Sequence, residues 1–394
     1  MISSFSMAAA APVHFGPGRI QEIAQFCAGL NTPRDRAGPI LLVADAALED
    51  LGIIDRIEAP LRAAGHPAAR AAWVAGEPSM VLIDRLAEAA REARAVTVVA
   101  VGGGAALDAA KLAAAIAEDG RPALDFACAA APLPEHGLPV IAVPTTAGTG
   151  SEVTRTAIAS DPEGVKLWYW GEALLPRIAL LDPELTRSLP PTLTAWTGMD
   201  AVAHALEAAT SARATAPGIA FGLSALALLH RHLPTAVADG NDLIARGQVL
   251  WAATLAGRAI EECGTHMGHN VSHALGSLVR IHHGQATALA LEALLPWLVE
   301  HADPSFAAAA RALGGAEEAK ALPDVYSALM RAVGIAPKMP RDLAPISSAA
   351  LAAAMTTPAN APMMAASPRP LSPGDIPELA SRVLALQERA EVLA

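Results

Sequence analysis

Two kinds of segment alternate along the first 185 or so residues, and only one continues after them. Short runs that are apolar almost throughout occur at residues 40–44 (Ile-Leu-Leu-Val-Ala), 96–101, 139–143 and 178–181, and they read as strands. Between them the apolar residues recur with the helical period, as in Ser79 to Arg94 and Leu107 to Glu118. Strands that are uniformly apolar and separated by helices predict a parallel sheet covered on both faces. After Asp182-Pro183-Glu184-Leu185 the strand pattern stops, and from about residue 192 only helical periodicity and helix breakers remain. The expected fold is an α/β N-terminal domain with a Rossmann-like parallel sheet (1–187) and an all-helical C-terminal domain (188–394). Pro190-Pro191 is the expected hinge. The stretch from Thr356 to Pro373 is expected to be irregular, ahead of a last helix from Asp375 to about Val392.

The composition narrows the class. Of 394 residues 53% are apolar, enough for large cores, and the abundance of Ala favours helix. A net charge of −11 argues against nucleic-acid binding, which needs a basic face. No apolar run reaches the roughly 18–20 residues that span a bilayer, so no membrane segment is expected. The first basic residue is Arg19, so the N-terminus lacks the basic start of a secretory signal. Cys27, Cys128 and Cys263 are scattered, as small core residues in a reducing compartment would be. A cytoplasmic location is the expectation.

Two loops point to a nucleotide. Gly102-Gly103-Gly104 follows a predicted strand and opens a helix whose N-terminus offers free N–H groups to a pyrophosphate. Leu107 breaks the dinucleotide fingerprint, and no Gly-Lys-Ser/Thr closes a phosphate-binding loop of the NTPase type. Alone, the loop fits a tight strand–helix turn equally well. The second loop, Thr145-Thr146-Ala147-Gly148-Thr149-Gly150, brings hydroxyls and glycines that suit phosphate or ribose. Asp45 ends the first strong strand. A carboxylate there suits a ribose diol and repels a 2′-phosphate, although helix capping accounts for it as well.

Polar residues at helical spacing point to a metal. Asp200 and His204 stand at i and i+4, as do His269 and His273, and His283 follows in the next turn. Carboxylate and imidazole donors suit Fe²⁺ or Zn²⁺. Five candidates exceed the ligands of a site that keeps a position open, so one must handle protons or support the others. Spacing alone leaves open which one. His266 and His282 read as neighbouring groups.

The ordered motifs Gly-Gly-Gly-x-x-x-Asp-x-x-Lys (102–111), Pro-Thr-Thr-Ala-Gly-Thr-Gly-Ser-Glu (144–152), Gly-Met-Asp-Ala-x-x-His-Ala-x-Glu (198–207) and His-x-x-x-His-x-Leu-Gly…His-Gly (269–284) resemble the iron-containing, group III alcohol dehydrogenase family. The resemblance runs from about residue 12 to the C-terminus. It implies Asp200, His204, His269 and His283 as metal ligands, with His273 left beside nicotinamide and substrate. It also implies Asp45, Gly102, Gly103, Gly104, Asp108, Thr145, Thr146, Thr149, Thr154 and Lys166 as cofactor-binding positions. Where the family often has Ser this chain has Ala105, so backbone N–H groups must serve the pyrophosphate there.

The activity implied is hydride transfer between an alkoxide held at the metal and nicotinamide, on a small alcohol or its carbonyl partner. NAD is expected over NADP, Fe²⁺ with Zn²⁺ as the alternative, and a homodimer or larger homo-oligomer. Maleylacetate reductases resemble the chain but usually carry Asn in place of Asp200 and work without metal. A lyase resembling dehydroquinate synthase would need Lys and Arg near the metal, and residues 196–212 have none.

Overall fold

The computed structural model describes residues 4–7, 9–30, 38–66, 68–70, 74–301 and 304–392. The chain forms two compact units, Ala9–Leu189 and Pro190–Ala394 with Met1–Ala8. Among the described residues no helix is long and apolar enough to cross a membrane.

The described residues of the first unit form eight strands: β1 (Val13–Phe15), β2 (Ile40–Ala44), β3 (Ala68–Arg70), β4 (Thr97–Gly102), β5 (Val140–Pro144), β6 (Thr156–Ser160), β7 (Lys166–Trp170) and β8 (Ile178–Leu181). Six of them form a sheet in the order β1-β8-β5-β4-β2-β3, with every pairing parallel. The four expected strands are its middle, and each is buried along its whole length. Alternate residues of a strand face opposite sides. Accordingly Leu41, Val43, Val98 and Ala100 join one core with helices α1 (Met80–Glu92) and α2 (Gly104–Ile116). Ile40, Leu42, Val99 and Val101 join the other with Ile53, Ile57 and Leu61.

Three differences from the sequence reading have local causes. The edge strands β1 and β3 are three residues long, too short to show a period. Strands β6 and β7 form a separate antiparallel pair in which Ile158 opposes Trp168. Its alternation, with only every second residue of β6 buried, rests on small side chains and is faint in sequence. The stretch expected to be irregular holds a 3₁₀ turn (Pro358–Asn360) and a short helix (Ala361–Ala365). Their prolines stand in the first turn, where the missing N–H costs nothing.

Helix α2 is tied to the loop after β5 by a buried cation. Lys111 is fully buried. Its ammonium donates to the carbonyls of Ser151 (2.9 Å) and Thr156 (2.6 Å) and to the hydroxyls of Ser151 (3.0 Å) and Thr154 (3.3 Å). A cation out of water needs such a ring of oxygens. Asp108, one turn back, accepts from the Ser151 hydroxyl (2.5 Å) and the Ile158 N–H (2.9 Å). Burial raises its carboxyl pKa, with Lys111 and these hydrogen bonds acting in the opposite sense.

The second unit contains no strand among its described residues. Its long helices are α3 (Pro191–Thr210), α4 (Ala216–Ala238), α5 (Leu243–Cys263), α6 (Met267–Leu278), α7 (His283–Leu298) and α8 (Asp375–Val392). Helix α3 is buried at every residue from Gly198 to Thr210. Its neighbours come close because small residues let them. A Cβ on Gly198 would stand 2.2 Å from Leu233, and one on Gly222 of α4 2.6 Å from the Ala205 carbonyl.

Replacing Lys111 by Met should take away the shortest donor to the Ser151 and Thr156 carbonyls, which keep longer contacts from the Thr154 N–H (3.4 Å) and the Thr154 hydroxyl (3.5 Å). A loss of about 2–4 kcal/mol is expected, read as a lower midpoint in urea unfolding. An unchanged midpoint would contradict the role given to this lysine.

Candidate metal centre and nucleotide loops

Three helices of the second unit bring polar atoms to one point. Asp200 comes from the buried middle of α3, His269 from the first turn of α6 and His283 from the first residue of α7. One ligand atom from each lies within 4.8 Å of the others. Asp200 Oδ1 is 3.7 Å from His269 Nε2 and 3.6 Å from His283 Nε2. Both separations are too long for hydrogen bonds. Asp200 Oδ1 is buried and accepts no hydrogen bond. Leaving a carboxylate oxygen so costs free energy unless a cation takes it up. Donors about 2.1 Å from a tetrahedral ion stand about 3.4 Å apart, so these spacings fit a divalent metal.

Local sequence explains how α7 comes so near. His282 caps it, its Nδ1 accepting from the Gly284 N–H at 3.2 Å. A Cβ on Gly284 would stand 2.3 Å from the Trp196 carbonyl and 3.3 Å from the Asp200 Cβ. The residue after His283 must therefore be glycine for the two helices to meet there.

His204 lies beside this set. Its Nδ1 is 4.0 Å from Asp200 Oδ2, and its ring stacks on that of His269 with centroids 4.5 Å apart. The structure thus gathers three of the four expected ligands at one point and holds the fourth against them. The His273 ring is half-buried, 5.5 Å from the His283 ring and 6.4 Å from that of His269.

Glu207 was given no role in the sequence reading. It is fully buried on α3. Oε1 accepts from the Gly268 N–H (2.5 Å) at the start of α6, and Oε2 lies 2.5 Å from His269 Nδ1. A carboxylate only accepts, so His269 carries its proton on Nδ1 and leaves Nε2 bare toward Asp200. Burial works to raise the Glu207 pKa, but the charge of His266 and His269 and its hydrogen bonds outweigh it and hold the value at about 2. His266 is also fully buried, and burial pushes its pKa down despite the nearby Glu207. The signal for Glu207 lay in the spacing, since 200, 204 and 207 follow i, i+4, i+7 on one helix face.

In the first unit the two expected loops touch. A Cβ on Gly104 would meet the Thr149 side chain at 2.5 Å, and one on Gly103 would meet Thr146 at 3.2 Å. Gly102 has φ +148°, and a Cβ there would meet Ala106 at 2.7 Å. Gly103 caps α2, whose first-turn N–H groups lack partners within the helix. Thr145 is buried, and Thr149 Oγ1 accepts from the Ser151 N–H at 3.3 Å. Asp45 is half-buried, and its Oδ1 accepts from the Ala47 N–H at 2.9 Å. Asp108 and Thr154 are engaged with the buried lysine network, and Lys166 pairs with Glu77 at 3.0 Å.

Residues 10–183 match the family model described as iron-containing alcohol dehydrogenase, and residues 194–384 match that described as the Fe-containing alcohol dehydrogenase family, C-terminal. The chain belongs to the iron-containing alcohol dehydrogenase family. It is 33% identical to long-chain-alcohol dehydrogenase 1 of Geobacillus thermodenitrificans, over 77% of this chain and 75% of that protein. It is 31% identical to the NAD-dependent methanol dehydrogenase of Bacillus methanolicus, over 68% and 69% of the two chains. Solved structures of similar fold include the alcohol dehydrogenase from Oenococcus oeni (TM-score 0.86, 27% identity, 96% of this chain and 100% of that one). Another is the sulfoacetaldehyde reductase from Bifidobacterium kashiwanohense in complex with NAD+ (TM-score 0.84, 27% identity, 98% and 99%). The resemblance drawn from four motifs is therefore family membership, and the protein is an oxidoreductase acting on CH–OH donors.

Glu207→Gln replaces an acceptor with an amide that can donate to His269 Nδ1 and so move the ring proton to Nε2. Affinity for a divalent ion should fall about 10- to 100-fold, measured by competition with a chelator. Unchanged affinity would sink the role given to Glu207.

Proposed function

We propose that this chain is a metal-dependent, NAD-linked alcohol dehydrogenase for a small alcohol and its aldehyde or ketone. Asp200, His204, His269 and His283 would hold Fe²⁺, with Zn²⁺ the alternative for the same donors. The observation that carries the reading is the convergence of Asp200 Oδ1, His269 Nε2 and His283 Nε2 around a carboxylate oxygen that accepts no hydrogen bond. When bound, the ion supplies Lewis acidity to the substrate hydroxyl and NAD supplies the hydride acceptor.

The chain's own residues do the rest. His269 is held by Glu207 in the tautomer that binds through Nε2. His273 is half-buried and adjacent to the ligands without sharing their common point, which suits it to take the hydroxyl proton and release it to solvent. The start of α2 and the glycines before it offer backbone N–H groups to a pyrophosphate. Asp45 offers its second oxygen to a ribose diol at the C-terminal end of β2, and its charge disfavours a 2′-phosphate there.

His269→Ala should lose metal and activity together, followed by metal analysis and turnover of a short alcohol. A variant that is metal-free and fully active would end this reading. His273→Ala should keep its metal while kcat falls about 10²- to 10⁴-fold, most steeply at low pH, where solvent is the poorer proton acceptor. Loss of metal from that variant would mean the ligand set is wrongly drawn.

The ratio of kcat/KM for NAD to that for NADP should exceed about 10, equivalent to about 1.4 kcal/mol of discrimination. Asp45→Ser should bring the ratio down. A wild-type preference for NADP would contradict the role of Asp45.

A further inference from the structure

His283 has its own support, and it differs in kind from that of His269. Ser272 lies on α6, three residues after His269 and one before His273, and is buried. Its Oγ is 3.0 Å from His283 Nδ1, 3.2 Å from the His283 carbonyl oxygen and 2.9 Å from Thr287 Oγ1. Thr287 is fully buried, and its Oγ1 is also 2.9 Å from the His283 carbonyl.

Counting hydrogens limits the arrangements. The carbonyl only accepts, and each hydroxyl has one hydrogen to give. If Ser272 donates to the carbonyl, and Thr287 to Ser272 or the carbonyl, an Oγ lone pair remains for His283 Nδ1–H. Nε2 is then bare, 3.6 Å from Asp200 Oδ1. If Ser272 donates to Nδ1 instead, the ring proton sits on Nε2, which cannot then serve as a ligand.

We infer that Ser272, backed by Thr287, is the positioning residue that sets the tautomer and ring orientation of His283. This rests on the metal-centre reading above. One helix, α6, then governs both imidazoles: it carries His269 and holds His283 through a hydroxyl. The two differ in firmness. Glu207 can only accept, so it fixes the His269 tautomer outright, whereas Ser272 holds the His283 tautomer through the direction of its own hydroxyl hydrogen, which goes to the His283 carbonyl.

The test compares Co²⁺ binding by the wild-type chain, Ser272→Ala, Thr287→Val and His269→Ala, by chelator competition and by the visible absorption of the bound Co²⁺. Ser272→Ala should bind about 10- to 100-fold more weakly than wild type with an altered Co²⁺ spectrum. Its metal-free melting temperature should be close to wild type. The near-isosteric Thr287→Val should weaken binding less, within about 10-fold. Ser272→Thr, which keeps the hydroxyl, should restore affinity and spectrum. In the Zn²⁺-loaded wild type, nitrogen-15 spectra of labelled histidine should place the His283 proton on Nδ1. Ser272→Ala with wild-type affinity and spectrum would overturn the inference alone. A wild-type chain that takes up no Co²⁺, or an unaffected His269→Ala, would overturn the metal-centre reading itself.

Discussion

The helical unit depends on a carboxylate placed where water cannot reach it. Glu207 stands in the buried length of α3, and its charge survives there because donors meet both oxygens. One donor is the Gly268 N–H, at the positive end of α6. The other is the imidazole of His269. The first contact fixes where α6 begins, and the second fixes which nitrogen of His269 is bare. Glycine at 268 is part of the arrangement, because a Cβ there would come within 2.8 Å of Glu207 Oε1 and 2.7 Å of Leu291 on α7. The start of one helix, the packing of another and the protonation of the His269 imidazole thus share one charge.

Helix α3 makes this possible by being apolar almost all round. Ala and small residues on its flanks let α4 and α7 approach, and the polar residues 200, 204 and 207 form a single stripe along it. Such a stripe inside a core is unfavourable unless every member finds a partner. Glu207 finds N–H groups, His204 stacks on His269, and Asp200 Oδ1 remains for a cation. The polar groups are therefore unequal: some secure the scaffold so that one is left with bonding capacity at a chosen place.

Much of this was legible in the chain. Strands β2, β4, β5 and β8 stood out because strands buried on both faces are apolar at almost every residue. β1 and β3 did not, since three residues at a sheet edge show no period. In the site, spacing paired Asp200 with His204 and His269 with His273, because neighbours on one helix are all that spacing can report. The meeting of Asp200, His269 and His283 is made between helices and depends on Gly284 lacking a side chain, which no periodicity shows. Glu207 lies one helical step beyond His204 on the same face of α3, but the spacing alone does not show that its partner is an imidazole on another helix. Ser272 gave no signal of its own, because a buried serine matters only through the partner its hydroxyl finds.

Lys111 has a consequence for how the first unit can meet an anion. Its ammonium is surrounded by the oxygens of its own loop and fully buried, so its positive charge is satisfied inside. Lys166 pairs with Glu77, and Arg155, just after the second loop, pairs with Glu172. What the glycine turn turns outward is backbone amide, a dipole rather than an ion. Amides do not titrate between acid and strongly alkaline pH, and they carry no condensed counterions to release. Attraction of that kind is set by shape and fixed direction and does not change with pH, while salt screens it as it screens other exposed electrostatic contacts.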